Sequence, residues 1–160
     1  MISFVHRILG RSDIYFAGSL YMRRWRIIDL LWFGLRVHHI ARSDADCELH
    51  DHPFTFVSII LTGGYYEHTI DGRRTWYGPG SVVVRSADNL HRLELLKDLD
   101  AGGPCIDRER SAWTLVVRGP RRREWGFLTD RGWQHWQAFT DERRTGTDQN
   151  GQPFAAESSL

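Results

Sequence analysis

The 160-residue sequence predicts an all-β domain, either a sandwich or a barrel. Short alternating or continuous apolar stretches are closed by turn residues along most of the chain, as is typical of β-strands. The 15 glycines supply many turns, and the 41% of hydrophobic residues is sufficient for one globular core. A chain of this length is expected to fold as a single domain.

Eight segments have the apolar pattern and the flanking turns of strands. In chain order they are Tyr21–Ile28, Phe33–Ala41, Phe54–Leu61, Tyr65–Ile70, Ser81–Arg85, His91–Leu95, Trp113–Val117 and Glu124–Leu128. Helix is expected only as minor pieces near the termini, over Ile2–Leu9 and Trp133–Phe139.

Glycine-containing turns separate the central strands. Thr62-Gly63-Gly64 and Asp71-Gly72 are hairpin signals, and Gly78-Pro79-Gly80 is a further turn. Glycine favours such turns because it tolerates the positive φ that they require.

The domain is expected to comprise residues 1–140. Within it, Asp98–Arg110 has the composition of a long loop. Residues 141–160 are polar and lack hydrophobic periodicity, so they predict a disordered tail.

The charge balance argues against some classes of partner. A formal net charge of +1 gives no overall attraction to nucleic acid or to a membrane surface. The basic run Arg121–Arg123 is interpreted as a solvated edge because no other basic cluster extends it. Neither nucleic acid nor a membrane is therefore an expected partner.

Cysteine usage and the amino terminus predict a cytoplasmic protein. Cys47 and Cys105 are far apart and form no CxxC pair, so a disulfide scaffold is not expected. The first residues lack the layout of a signal peptide. The apolar stretch Ile27–Leu35 is too short to span a bilayer.

His50 and His52 are the first candidates for a metal site. They are separated by one residue, and alternate residues of a strand point to the same face, so both imidazoles can reach one ion. Imidazole binds Fe(II), Zn, Ni, Cu and Mn.

His91 completes a candidate set of three ligands. It opens a strand that follows two glycine turns, and in a barrel this strand can return beside the first pair. Three protein ligands would leave coordination positions open for water or substrate.

The same segments resemble the two sequence motifs of the cupin superfamily. His50–Gly64 is similar to G(x)5HxH(x)3–4E(x)6G, and Gly80–His91 is similar to G(x)5PxG(x)2H(x)3N. The resemblance covers about residues 45–95 and implies a single cupin, or jelly-roll, barrel (a double-stranded β-helix). It also implies a divalent metal cofactor on His50, His52 and His91.

This sequence departs from the motifs at several positions. The motif glutamate is replaced by Val57, or by Phe56 on the shorter spacing. The proline, glycine and asparagine of the second motif are replaced by Ser86, Asp88 and Leu95. Loss of the glutamate resembles the three-histidine cupins, such as the thiol dioxygenases, which implies Fe(II) and a dioxygenase activity. Cupin barrels also resemble many dimers formed through edge strands, so a homodimer is one expectation.

Glu67 and Tyr66 are the candidate catalytic residues. Glu67 and His68 lie on the strand after the Gly-Gly turn, and only one of the two can point inward. We favour Glu67, whose carboxylate would serve as a fourth ligand or as a general base. Tyr66 would line the cavity. Of His38 and His39, one is expected to face the interior as a hydrogen-bonded histidine rather than a ligand.

Several functions remain compatible with these features. The first is an Fe(II) dioxygenase acting on a small molecule, and the second is a Zn or Mn isomerase or hydrolase. The third is a non-catalytic barrel that binds a small ligand. The fourth is an interaction protein with an exposed patch of Trp25, Trp32 and Trp76. Serine hydrolase, NTPase and dinucleotide-binding motifs are absent from the sequence.

Overall fold

Two antiparallel sheets of six strands each contain most of the residues that the structure describes. The computed structural model of the chain describes residues 10–16, 19–44, 48–97 and 109–145. In chain order the elements are β1 (Gly10–Phe16), β2 (Ser19–Asp29), β3 (Gly34–Ile40), β4 (Leu49–His50), β5 (Phe56–Thr62), β6 (Tyr65–Thr69), β7 (Arg74–Tyr77), β8 (Val82–Arg85), β9 (His91–Leu95), β10 (Ala112–Arg118), β11 (Gly126–Thr129), β12 (Gly132–His135) and α1 (Trp136–Thr145).

The topology is that of a jelly roll. The first sheet has the strand order β1-β2-β3-β10-β5-β8, and the second has the order β12-β11-β4-β9-β6-β7. From β3 to β11 the chain crosses between the sheets at every connection except the β6–β7 hairpin. Strands that are distant in sequence therefore become neighbours, and this brings β4 beside β9.

All eight predicted strands are present, and their ends agree with the prediction to within two residues. Four further strands, β1, β4, β7 and β12, were not predicted. Each is short or carries polar residues on its outer face, so its apolar pattern is weak. The predicted turns are confirmed at Gly63, Gly72 and Gly80, whose φ angles are 72°, 77° and 86°.

The carboxyl-terminal helix differs from the prediction. α1 begins at Trp136, three residues later than expected, because Gly132–His135 pairs with β11 as a hairpin strand. The helix continues to Thr145, so residues 141–145 are helical and not part of the predicted tail. The predicted helix Ile2–Leu9, residues 98–108 of the predicted loop and residues 146–160 of the predicted tail lie outside the described residues.

The apolar core fills one end of the space between the sheets. Its buried members come from both sheets and are Met22, Ile40, Ile60, Tyr65, Val83, Leu93, Leu95 and Ala112. Ile60 and Leu95 are only 1% and 2% exposed, and full burial of such a side chain contributes about 1.5–3 kcal/mol. Along β9 the inner face changes from Leu95 and Leu93 to His91, so the polar site lies at the other end of this space.

Trp25 and Trp76, which an interaction surface was proposed to share, lie on different sheets. Trp25 on β2 stacks against Trp113 on β10, with ring centroids 5.3 Å apart. Trp76 lies on β7 of the second sheet, where it packs against Tyr66. Across the described ranges, the chain has no helix that is both long enough and apolar enough to cross a membrane.

Two glycine turns provide a test of backbone geometry. Both Gly63 and Gly72 have positive φ, which costs another residue roughly 1–2 kcal/mol. A Cβ on Gly63 would also overlap the carbonyl oxygen of Ser111, whereas a Cβ on Gly72 would meet nothing within 4 Å. We expect Gly63→Ala to lower the free energy of unfolding by about 1–3 kcal/mol more than Gly72→Ala, measured by urea denaturation. Equal losses would contradict this assignment of the turn.

Candidate metal centre

His50 and His91 face each other across neighbouring strands. They are direct partners in the β4–β9 pairing, and their side chains point between the sheets, where they are 9% and 5% exposed. Their ring centroids lie 4.9 Å apart. The strand pairing therefore fixes the relative position of these two imidazoles.

His52 reaches the same point from just beyond the end of β4. Its backbone N–H donates to the carbonyl oxygen of Ala87, at 3.1 Å, and this bond holds the segment against the β8–β9 connection. Its Nε2 lies 2.7 Å from the Nε2 of His91. The candidate donor atoms of His50, His52 and His91 all lie within 4.8 Å of one another.

Asp51, between the two histidines, anchors the segment from the other side. Its carboxylate is 2% exposed and accepts hydrogen bonds from the backbone N–H of Gly126, at 2.7 Å, and from Nε1 of Trp133, at 3.0 Å. Arg123 lies 2.9 Å from the same carboxylate. Because alternate residues face opposite ways, this anchor turns His50 and His52 toward the interior.

Glu67 orients His91. Its carboxylate is 2% exposed, and its Oε1 accepts a hydrogen bond from Nδ1 of His91 at 2.6 Å. The proton of His91 therefore lies on Nδ1, and Nε2 presents its lone pair to the other histidines. This is the arrangement by which carboxylates orient metal-binding histidines in proteins.

Arg85 holds the Glu67 carboxylate in its ionised form. Nε of Arg85 donates to Glu67 Oε1 at 2.8 Å, and its Nη2 contacts Oε2 and, at 3.1 Å, the hydroxyl oxygen of Tyr77. Burial alone would raise the pKa of Glu67, but the hydrogen bonds from His91 and Arg85 outweigh burial and lower it to about 2. Glu67 is therefore a carboxylate near neutral pH.

Asp44 lies behind His50. One of its carboxylate oxygens is 3.7 Å from Nδ1 of His50, beyond a good hydrogen bond but within ion-pair distance. The same oxygen accepts a hydrogen bond from the backbone N–H of Leu93. Asp44 thus connects His50 to the backbone of β9.

Burial keeps two of the histidines neutral. It lowers the pKa of His50 to about 4, although the charge of Asp44 acts in the opposite direction. It also lowers the pKa of His52 well below the usual value, and His91 and His50 add to this effect. Neutral imidazoles have the free lone pair that a metal ion requires.

The motif position of the missing glutamate is filled by an aromatic ring. Phe56 points inward, is 9% exposed and lies 4.7 Å from the ring of His52 and 6.3 Å from that of His91. Val57 is next on the strand and points to the opposite face. The described donors are therefore three imidazole nitrogens without a carboxylate, a set that fits Fe(II), Zn, Ni or Cu.

The structure decides between Glu67 and His68. Glu67 faces the interior, whereas His68 faces outward and pairs with Glu94, with Nε2 and Oε2 2.5 Å apart. Glu67 does not take the fourth-ligand position that we considered, because its carboxylate binds the Nδ1 side of His91, away from His52.

The position of Tyr66 does not support a catalytic role. Its buried neighbours Tyr65 and Glu67 point inward, so the Tyr66 side chain points to the outer face. There its ring packs against Trp76, with centroids 5.1 Å apart, and carries the guanidinium of Arg74 at 3.4 Å. Because it is one position away from Glu67 along β6, Tyr66 lies on the opposite face of the strand from the histidines.

His38 is the inward member of the His38–His39 pair. Its Nε2 is buried without a hydrogen-bond partner, which corrects the expectation of a hydrogen-bonded histidine. His39 lies on the outer face against Trp113, with centroids 4.7 Å apart. Sequence reasoning also missed Arg24 and Arg36 on the inner face, although their alternation with apolar residues on predicted strands was a usable signal.

Solved structures with the cupin fold are similar to this chain. The cupin-2 domain protein Rru_A2000 from Rhodospirillum rubrum has a TM-score of 0.57 at 12% identity, with 78% of each chain covered. The polyketide cyclase RemF from Streptomyces resistomycificus has a TM-score of 0.54 at 18% identity, with 78% of this chain and 84% of that chain covered.

A crystal structure of Fe(II) HppE is also similar, with a TM-score of 0.51 at 11% identity and 69% of this chain covered. This chain spans 56% of the length of that protein. No protein-family model matches the sequence, and no curated protein matches it either. At these identities the likeness concerns the fold, and the chain has the cupin fold, as its motifs predicted.

Replacement of Glu67 tests the buried ion pair. Glu67→Gln leaves Arg85, whose side chain is 17% exposed, without its counter-ion, so we expect the free energy of unfolding to fall by about 3 kcal/mol. Glu94→Gln is the matched control, because Glu94 is a half-exposed carboxylate on the neighbouring strand and its loss should cost less than about 1 kcal/mol. Urea denaturation of both variants measures the two losses of unfolding free energy, and equal losses would contradict a stabilising Glu67–Arg85 ion pair.

The buried His38 predicts a pH dependence of stability in the metal-stripped protein. Burial, together with the charges of Arg24 and Arg36, lowers its pKa well below 6.5. The unfolded state then binds more protons, so this contribution to stability is complete above pH 6.5 and is lost as the pH falls.

We expect His38→Gln to reduce the slope of stability against pH below 6.5, by at most about 1.4 kcal/mol per pH unit. His39→Gln, on the outer face, should change the slope less, because the lowering of its pKa is smaller. Urea denaturation between about pH 5 and 7 measures both slopes. An unchanged slope in His38→Gln would refute the prediction.

Proposed function

We propose that this protein is a metal-dependent cupin enzyme that binds one Fe(II) ion on His50, His52 and His91 and oxidises a small molecule with O2. The observation that carries the proposal is the convergence of three imidazoles, with His91 held by a buried carboxylate. A bound Fe(II) ion would supply the one-electron chemistry by which O2 reacts with closed-shell organic molecules. A dioxygenase places both oxygen atoms in its substrate and so needs no separate reductant.

The number of ligands supports a catalytic site over a structural one. Structural zinc sites are normally closed by four protein ligands, whereas the described cluster provides three. The remaining positions would then be available to substrate and O2. Phe56 forms an apolar wall beside His52 and His91, and an apolar wall excludes water from the reacting centre.

The chain's own residues have definable tasks in this proposal. Glu67 keeps the proton of His91 on Nδ1, and Arg85 keeps Glu67 ionised. Asp44 supports His50 from behind. These contacts fix the ligand rings before metal binding, which reduces the cost of ordering them.

The similar structures are compatible with this chemistry and with one alternative. Fe(II) HppE is an iron protein with a similar fold, and RemF is a polyketide cyclase. The three-imidazole set also suits Zn, so a Zn- or Mn-dependent isomerase or hydrolase is the second candidate.

Metal content is the first test. Elemental mass spectrometry on protein purified without a histidine tag should give about one equivalent of metal, because the described residues form one cluster of three ligands. His91→Ala and His52→Ala should lose it. His135→Ala is the matched control, since His135 pairs with Glu124 at 3.0 Å on the β11–β12 hairpin and should retain the metal.

The identity of the metal and the uptake of O2 separate the candidates. Iron, together with substrate-dependent O2 consumption in an oxygen-electrode screen of small thiols and catechols, would support the dioxygenase. Zinc or manganese without O2 consumption would favour the isomerase or hydrolase. Absence of metal from wild type, even after reconstitution, would refute both candidates and leave a ligand-binding barrel.

A further inference from the structure

The inner face of the first sheet carries a row of arginines. Arg24 and Arg26 lie on β2, and directly opposite them on β3 lie His38 and Arg36. Cross-strand partners share a face of the sheet, and Arg24 stands two residues from the core residue Met22. Arg118 on β10 pairs with Gly34, over which its side chain lies.

One carboxylate compensates part of this charge. Asp29, at the end of β2, is 3.2 Å from Nη2 of Arg36 and also contacts Nη2 of Arg118. These contacts outweigh the effect of burial and lower the pKa of Asp29. Arg118 in addition donates to the carbonyl oxygens of Leu30 and Gly119, at 2.9 Å and 3.0 Å.

Arg24 and Arg26 have no such compensation. Neither forms an ion pair within the described ranges, and this distinguishes them from Arg36 and Arg118, whose buried Nε atoms likewise have no hydrogen-bond partner. Nη2 of Arg24 lies 4.0 Å from the sulfur of Met22, a weak acceptor without charge. Burial lowers the pKa of Arg24 to about 10, and the charges of Arg36 and Arg26 add to this effect.

The unpaired charges of Arg24 and Arg26 lower the stability of the folded protein unless a bound ligand compensates them. A buried charge without a partner lowers stability by several kcal/mol, and neutral residues of similar size at the same positions would avoid this cost. Arg85, also on the inner face, shows the contrast, because its charge is matched by Glu67. Unmatched buried cations on this inner face therefore indicate a binding site for a negatively charged ligand.

The arginines lie beside the histidine cluster. Arg36, the cross-strand partner of Arg26, is the member of the row nearest to the histidines through a shared aromatic neighbour. Phe54 connects the two groups, because its ring stacks near His52 with a centroid distance of 6.4 Å and lies 5.5 Å from the guanidinium carbon of Arg36. A molecule bound at the histidines would thus have the arginine row within reach.

We infer that this inner face binds a small organic anion, whose carboxylate or phosphate group is bound by Arg24, with Arg26 and Arg36 beside it. This inference rests on the proposed function in assigning the anion as the substrate of the metal site. The guanidinium fork matches the oxygens of a carboxylate or a phosphate, and such charge-assisted hydrogen bonds are about twice as strong as neutral ones. The anion would occupy the donors that the protein leaves unpaired.

Anion binding to the full chain tests the inference. Thermal unfolding of the protein as purified is followed by tryptophan fluorescence with sodium malonate, sodium phosphate or sodium chloride at equal ionic strength. We expect malonate or phosphate, but not chloride, to raise the unfolding temperature in a saturable manner, because a ligand that binds only the folded state stabilises it. A stronger effect of malonate identifies a carboxylate ligand, and a stronger effect of phosphate identifies a phosphate ligand.

Variants of neighbouring arginines locate the site. Arg24→Gln should weaken the binding at least about tenfold, because it removes a charged hydrogen-bond donor. Arg23→Gln is the matched control, since Arg23 is the adjacent residue on the outer face, is 40% exposed and lies 3.9 Å from Asp13, and it should bind the anion as wild type does. Arg24→Lys retains the charge without the fork and should show intermediate binding.

The outcomes separate this inference from the metal proposal. Metal content is measured on the same samples, and Arg24→Gln should retain its metal while losing the anion. Equal anion binding by wild type and Arg24→Gln, or stabilisation no greater than that by chloride, would overturn the anion site whatever the metal content. Saturable anion binding by a wild-type protein that holds no metal would support the anion site and refute the proposed function.

Discussion

The carboxylate of Glu67 is shared between His91 on its own sheet and Arg85 on the opposite sheet. This buried contact joins the two layers at the polar end of the barrel, where the apolar core of Leu93 and Leu95 does not reach. It also determines which nitrogen of His91 is free. The stability of this end of the fold and the chemistry of the site therefore depend on one side chain, and a change at Glu67 affects both.

The interior is divided between apolar packing and charge. At one end, Met22, Ile40 and Leu95 close the space between the sheets in the ordinary way. Toward the other end the same strands place Arg24 and His38 on the inner face. Protein interiors rarely hold unmatched charge because its desolvation is costly. The space between the sheets thus has three imidazoles on one side and arginines on the other, and the proposed anion site rests on this arrangement.

Much of the fold was visible in the sequence because its signals are local. The strands with alternating apolar residues, such as His91–Leu95, and the glycine turns, such as Gly63, depend on neighbouring residues alone. The short strand β4 and the hairpin strand β12 carry no such pattern, since partners distant in sequence hold them in place. The predicted tail began at Asp141, but α1 continues to Thr145. Residues 141–145 are all polar, so the sequence there has no apolar signal, and the helix packs on the sheet through Phe139 and Phe127.

The sequence by itself determined the all-β class, the histidines at positions 50, 52 and 91, and their resemblance to the cupin motifs, because residue spacing and strand parity are local properties. Tertiary structure decided the rest. Only the strand pairing shows that Glu67 orients His91 instead of filling a fourth ligand position, and that Tyr66 faces outward. The arginines of β2 and β3 were visible on the single strands, but only the assembled sheet brings them together with Arg118 of β10. Contacts between residues so far apart along the chain leave no periodic trace in the sequence.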